Sequence, residues 1–126
     1  AVINSDDIKK LMQNNDIYYL AEMMNFPGVI YADEEVLKKI KYAHEANKPI
    51  DGHAPGLSGE GLEKYAAQKI TTDHECTSVD EAIKKIEKGI LLKYKRVSNF
   101  NIMTEKDELI TKLLNKLFKS KTKLNK

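Results

Sequence analysis

The spacing of apolar residues divides the chain into short runs that alternate with amphipathic segments. Ile8, Leu11 and Met12 share one stripe of a first helix, with Ser5 as its N-cap and Asp6 and Asp7 at its positive end. Asn14 and Asn15 stop it. Residues 17–22 (IYYLAE) form a short β-rich run that closes on an acid, and Asn25, Phe26, Pro27 and Gly28 then break regular structure. A helix starting near Asp33 buries Val36, Leu37, Ile40 and Ala43. It must end before Pro49, because the residue preceding a proline avoids the helical region.

The same rhythm continues. A second run, 49–53 (PIDGH), leads through a loop at 54–57 to a helix opened by Ser58 and carrying Leu62, Tyr65 and Ala66. Residues 70–74 (ITTDH) form a third run. Ser78 and Glu81 have the spacing of a capping box, Ala82, Ile83 and Ile86 form the buried stripe behind them, and Gly89 supplies a left-handed stop. Residues 90–94 form a fourth run. A last helix is expected over 104–118, where Leu109, Ile110, Leu113, Leu114, Leu117 and Phe118 recur at three- and four-residue steps. Strands alternating with helices in this way predict βα units and a parallel sheet, without deciding between an open sheet and a barrel.

With 126 residues the chain is about half the roughly 250 that a closed (β/α)8 barrel uses. Hydrophobic residues at 41% and charged residues at 32% describe an ordinary globular composition and exclude a disordered chain. No apolar stretch is long enough for a membrane span, and the start lacks the layout of a signal peptide. One cysteine excludes a disulfide framework and any cysteine-rich zinc module, and it fits a reducing cytoplasm. The start at Ala1 without methionine is expected of a trimmed chain or of a piece of a longer protein. The net charge of +2 is uneven: residues 103–126 carry +4 and the first 102 carry −2. Those lysines are read as solvating the outer face of the last helix. Nucleic-acid contact is disfavoured, because the tail has no arginine and only one aromatic residue, Phe118.

The candidate chemistry lies where the runs end. Glu22, His53 and His74 each fall at the carboxyl end of an expected strand, on three successive βα units. Active sites of parallel α/β folds are built at that edge. One carboxylate and two imidazoles suit a divalent transition metal. Asp51 and Gly52 before His53, and Asp73 and Glu75 around His74, are positioned to orient the two rings. His44, on a helix between lysines, is expected to be solvated. Cys76 is expected to be a small buried residue or a pocket lining.

The segments AEMMNFPGVI (21–30), KPIDGHAPGLSG (48–59) and ITTDHECTSVDEAIKKIEKGI (70–90) closely resemble the bacterial and archaeal adenine deaminases of the amidohydrolase superfamily. The resemblance runs from about Asp6 to Leu92. It implies a segment of a (β/α)8 barrel, about strands 4 to 7, in residues 1–102, with residues 103–126 as a lysine-rich amphipathic helix and tail. It also implies metal-dependent hydrolysis of adenine to hypoxanthine and ammonia, with Mn or Fe(II) as cofactor; the ligand types alone would also admit Zn. Glu22 matches the family's bridging carboxylate, and His53 and His74 match its histidine ligands. The zinc deaminases that use His-x-Glu with Cys-x-x-Cys are excluded by the single cysteine.

The family pattern also includes an early His-x-His and a late aspartate, which do not occur at matching positions here. After the seventh strand its Arg-Glu-Gly-Ser run is replaced by Lys95, Arg96, Val97 and Ser98. The chain is therefore expected to be inactive alone and to need further barrel segments or a second copy. The competing expectation is a non-catalytic α/β module that docks through the helix at 104–118.

Overall fold

A computed structural model describes residues 2–92. The expected strand residues beyond Leu92, the helix over 104–118 and the boundary at 102 lie outside the described residues.

Four strands form one parallel sheet in the order in which they occur in the chain: β1 (Leu20–Met23), β2 (Ile50–Gly52), β3 (Thr72–Asp73) and β4 (Leu91–Leu92). Helix α1 (Ser5–Met12) precedes β1, α2 (Phe26–Ile30) and α3 (Glu34–Glu45) connect β1 to β2, α4 (Gly59–Ala67) connects β2 to β3, and α5 (Val79–Glu87) connects β3 to β4. Consecutive parallel strands joined by helices are the arrangement of successive units in a (β/α)8 barrel. Gly52 stands opposite Asp73 and Met23 opposite Gly52, so the carboxyl ends of β1, β2 and β3 finish level with one another.

Burial explains the pattern. Ile50, Ile70 and Ile90 are almost wholly enclosed at the entry to β2, β3 and β4. The Ile50 carbonyl accepts the Thr71 N–H at 3.2 Å, and the Thr71 carbonyl accepts the Leu91 N–H at 2.9 Å. Val36, Ile40 and Ala43 of α3 and Leu62 and Tyr65 of α4 close the same apolar cluster from the helix side. Helix α1 lies on α3, where the Glu35 carboxylate accepts both the N–H and the hydroxyl of Ser5, at 3.0 and 2.9 Å.

The structure departs from the sequence reading in four local features. Asn4, not Ser5, caps α1: its side chain accepts the Asp7 N–H, and the Asp7 carboxylate accepts the Asn4 N–H in return. This frees Ser5 to be buried against Glu35. The expected break at 25–28 is the start of a short helix, because Asn25 caps the Gly28 N–H and proline fits a first helical turn. The first strand begins at Leu20, and Tyr18 and Tyr19 before it are exposed. At α5, Ser78 caps the Glu81 N–H at 3.2 Å, but the Glu81 carboxylate does not complete the box. It is drawn instead to the Thr77 N–H and hydroxyl, the Gly56 N–H and Lys85. Lys85 is fully buried, while Ile86 is only half-buried.

Candidate metal centre

In a parallel sheet, side chains at the carboxyl ends of adjacent strands lie side by side, and alternation along each strand decides which of them face the sheet's inner side. Glu22 sits within β1, His53 directly follows β2, and His74 directly follows β3. Their side chains converge. The His74 Nε2 lies 3.0 Å from the Glu22 Oε2 and 3.3 Å from the His53 Nδ1, and the His53 Nδ1 lies 3.9 Å from the Glu22 Oε1. The two imidazole rings have centroids 5.2 Å apart, tilted by 48°. The side chains are 33%, 21% and 14% exposed for Glu22, His53 and His74, so the cluster is partly buried but reached by solvent.

The donor set fits a divalent cation. One ligand atom from each residue lies within 4.8 Å of the other two. Atoms bound at about 2.0–2.2 Å to a common ion stand roughly 3.0–3.5 Å apart, and the two shortest separations here are in that range. Among the described residues, Glu22 pairs with no lysine or arginine, so its charge is directed at the imidazoles. His44 is not part of this group. It is half-buried rather than solvated as expected, because its Nε2 donates to the Gln68 carbonyl at 2.8 Å and ties α3 to the end of α4.

The chain matches the amidohydrolase family over residues 2–122. It belongs to that family.

The match runs on past Leu92, further than the motifs alone carry the resemblance. Among curated relatives, the adenine deaminase of Borreliella afzelii is 49% identical over 89 residues, which is 71% of this chain and 16% of that protein. The adenine deaminase of Borreliella burgdorferi is 51% identical over 89 residues, with the same coverage. Adenine deaminase 2 of Latilactobacillus sakei is 47% identical over 100 residues, 78% of this chain and 17% of that protein. The chain thus spans about one sixth of the length of these relatives. As a family member it is a segment of an amidohydrolase (β/α)8 barrel, and the family is metal-dependent.

Behind this cluster stands a supporting layer that the sequence reading only half foresaw. Asp51 backs the ring of the neighbouring strand, with its Oδ2 3.9 Å from the His74 Nδ1 and its Oδ1 accepting the Thr72 hydroxyl. Asp73 is wholly buried, 2.7 Å from the Lys85 Nζ. The Tyr65 hydroxyl accepts the His53 N–H at 3.2 Å. Burial, helped by the charge of Asp73, raises the Tyr65 pKa well above its ordinary value and keeps the phenol neutral.

Cys76 is exposed, contrary to the expectation that it is a small buried residue. Desolvation pushes its thiol up to about 11 against the opposing charge of Lys85. No helix among the described residues is long and apolar enough to cross a membrane.

The residues that sequence reasoning missed are Lys85 and Glu81 in a buried role and Tyr65 as a hydroxyl partner. For Lys85 the available signal was its position on the face of α5 that also carries Ala82.

Proposed function

We propose that this chain forms part of the metal centre of an adenine deaminase, with Glu22, His53 and His74 as ligands of a divalent transition metal. The convergence of these three side chains at one sheet edge carries the reading. The names of the relatives support adenine as the substrate. In the reaction, water adds at C6 of adenine, the bond from C6 to the exocyclic nitrogen breaks, and hypoxanthine and ammonia leave.

When bound, the metal supplies a Lewis acid that brings the deprotonation of water near neutral pH. The family resemblance favours Mn(II) or Fe(II), and imidazole and carboxylate ligands also accept Zn(II). The chain's own residues bind and orient. The Glu22 carboxylate turns one oxygen toward each imidazole, and Asp51, held by the Thr72 hydroxyl, stands behind the outer side of the His74 ring with its Oδ2 3.9 Å from Nδ1. We assign the remaining ligands to barrel segments beyond this chain or to a second copy of it, in line with its span of about one sixth of the relatives. A cytoplasmic setting is supported by the single thiol, Cys76.

The test is metal retention after incubation with Mn(II), Fe(II) or Zn(II), measured on the chain and on its His53→Ala and His74→Ala variants. Adenine conversion is followed with and without the flanking barrel segments. The expected result is weak metal binding that depends on both histidines, with turnover only when the flanking segments are supplied. Equal retention in the variants would overturn the reading and favour a non-catalytic module.

A further inference from the structure

Lys85 is the most unusual polar residue of the described structure: its side chain is fully buried, and so is that of its partner Asp73. Its Nζ donates to the Asp73 Oδ2, the Glu81 Oε1 and the Ala54 carbonyl, each at 2.7 Å, and to the Glu75 carbonyl at 3.0 Å. An ammonium has three protons, so the four acceptors use its full capacity with one proton shared.

The acceptors form a pattern. Ala54 is the residue after His53, and Glu75 is the residue after His74. Asp73, the residue before His74, accepts the N–H groups of Ala54 at 3.2 Å and of Glu75 at 2.9 Å. Glu81 extends the network outward, accepting from Gly56 at 2.8 Å and from Thr77 at 2.9 Å. The backbone leaving β2 and the backbone leaving β3 are thus tied to one buried ammonium carried by α5. As a source of stability the arrangement is poor, because burying two carboxylates and an ammonium costs several kcal/mol per ion before their attraction is counted. What it supplies is a fixed distance between two loops.

We propose that Lys85 is a positioning residue for the metal centre, clamping the segments after His53 and His74 so that the two imidazoles face one another. It touches neither substrate nor metal and acts through the loops. The proposal rests on the metal-centre reading for its function, but its geometric content can be tested without metal.

The experiment uses the full 126-residue chain and two variants. Lys85→Met keeps the length and removes the charge. Lys85→Met combined with Asp73→Asn also removes one of the carboxylates left unpaired. Folding is monitored by circular dichroism melting. In the metal-free chain, NMR cross-relaxation between the His53 and His74 rings reports their juxtaposition, and Co(II) titration reports affinity and ligand-field bands.

The expected result is a variant that melts cooperatively but has lost the ring-to-ring signal. It should bind Co(II) about 10- to 100-fold more weakly, the usual cost of losing an outer partner of a metal ligand, with shifted bands. A folded variant that keeps the ring-to-ring signal overturns the proposal. So does failure of both variants to melt cooperatively, because the cluster's role is then folding alone. If the wild-type chain shows the ring contact but takes up no Co(II), the metal reading fails while the clamp is still judged by the rings.

Discussion

The His74 imidazole and the Glu22 carboxylate meet at 3.0 Å across the carboxyl edge of the sheet, although they belong to strands that do not pair with each other. β2 lies between them and contributes His53, so the three side chains span three adjacent strand ends. A carboxylate that is one-third exposed contributes little to the core, so its role can be separated from stability. Glu22→Gln keeps the shape and removes the charge. It should weaken divalent-metal binding by more than the roughly 10- to 100-fold lost when an outer partner is removed, and leave the urea midpoint nearly unchanged. Calorimetric titration with Mn(II) and urea denaturation of the same sample check both halves.

The ion pairs Glu34–Lys38, Glu60–Lys64 and Glu81–Lys85 share one i,i+4 spacing in the sequence, and of these three only the last is buried. Glu34–Lys38 and Glu60–Lys64 are exposed pairs at 2.7 and 2.8 Å. Glu81–Lys85 has the same 2.7 Å separation with both side chains enclosed. Exposed pairs contribute little, whereas removing one partner of a buried pair strands a charge. Lys85→Met should therefore cost about 3–5 kcal/mol, and adding Asp73→Asn should recover part of it. Lys38→Met and Lys64→Met should leave the denaturation midpoint where it is. A midpoint for Lys85→Met as high as that of the surface variants would contradict the burial argument.

This contrast marks the limit of what the sequence discloses. The order of elements was legible because apolar runs are separated by strong stops such as Pro49 and Gly89, the latter at a φ of 82°. Glu22, His53 and His74 were legible because each closes such a run. The supporting layer was not, because it depends on which face each strand residue takes. Asp73 and Gly52, each immediately before a histidine, face the helices, where they meet Lys85 and Tyr65. Asp51, two positions before His53, stays on the inner side and reaches the ring of the next strand. Alternation along a strand contains this rule, but short runs without a fixed register do not say which partner waits on either side.

Gly52 gives the next prediction. A Cβ at this position would collide with the Tyr65 hydroxyl and lie 2.5 Å from the Thr72 carbonyl oxygen and 2.8 Å from the Ile70 Cγ2. Two of these neighbours are anchored, the carbonyl by the backbone and the phenol by its bond to the His53 N–H. Gly52→Ala should thus cost about 1–3 kcal/mol through overpacking and displace His53, the adjacent residue. Denaturant melts and a Co(II) titration of the variant should both be affected. Unchanged stability together with unchanged metal binding would refute the close approach of β2 to α4.

The buried cluster also fixes how stability responds to pH. Burial alone would lower the Lys85 pKa, but its bonds to Asp73 and Glu81 outweigh that and raise it above the ordinary 10.5. Its contribution is complete below that value and is lost as pH climbs through the higher folded one. Tyr65 acts in the same direction, since burial raises it above the ordinary 10.0 and ionising it in place is unfavourable. Burial would raise Glu81, yet the bonds from Lys85, Thr77 and Gly56 prevail and lower it below the ordinary 4.5. The stability from Glu81 is complete above 4.5 and disappears as pH falls through the lower folded value. The Cys76 thiol, raised from its ordinary 9.0, adds to the alkaline side. The melting temperature should therefore be nearly level between about pH 5 and pH 9 as far as this cluster is concerned, and fall on both sides. In the Lys85→Met, Asp73→Asn variant the alkaline fall should be shallower, because the lysine part is gone and only Tyr65 and Cys76 remain. Melting curves recorded from pH 3 to pH 11 would decide it: equal alkaline slopes in the two proteins would mean that Lys85 is not held as the geometry requires.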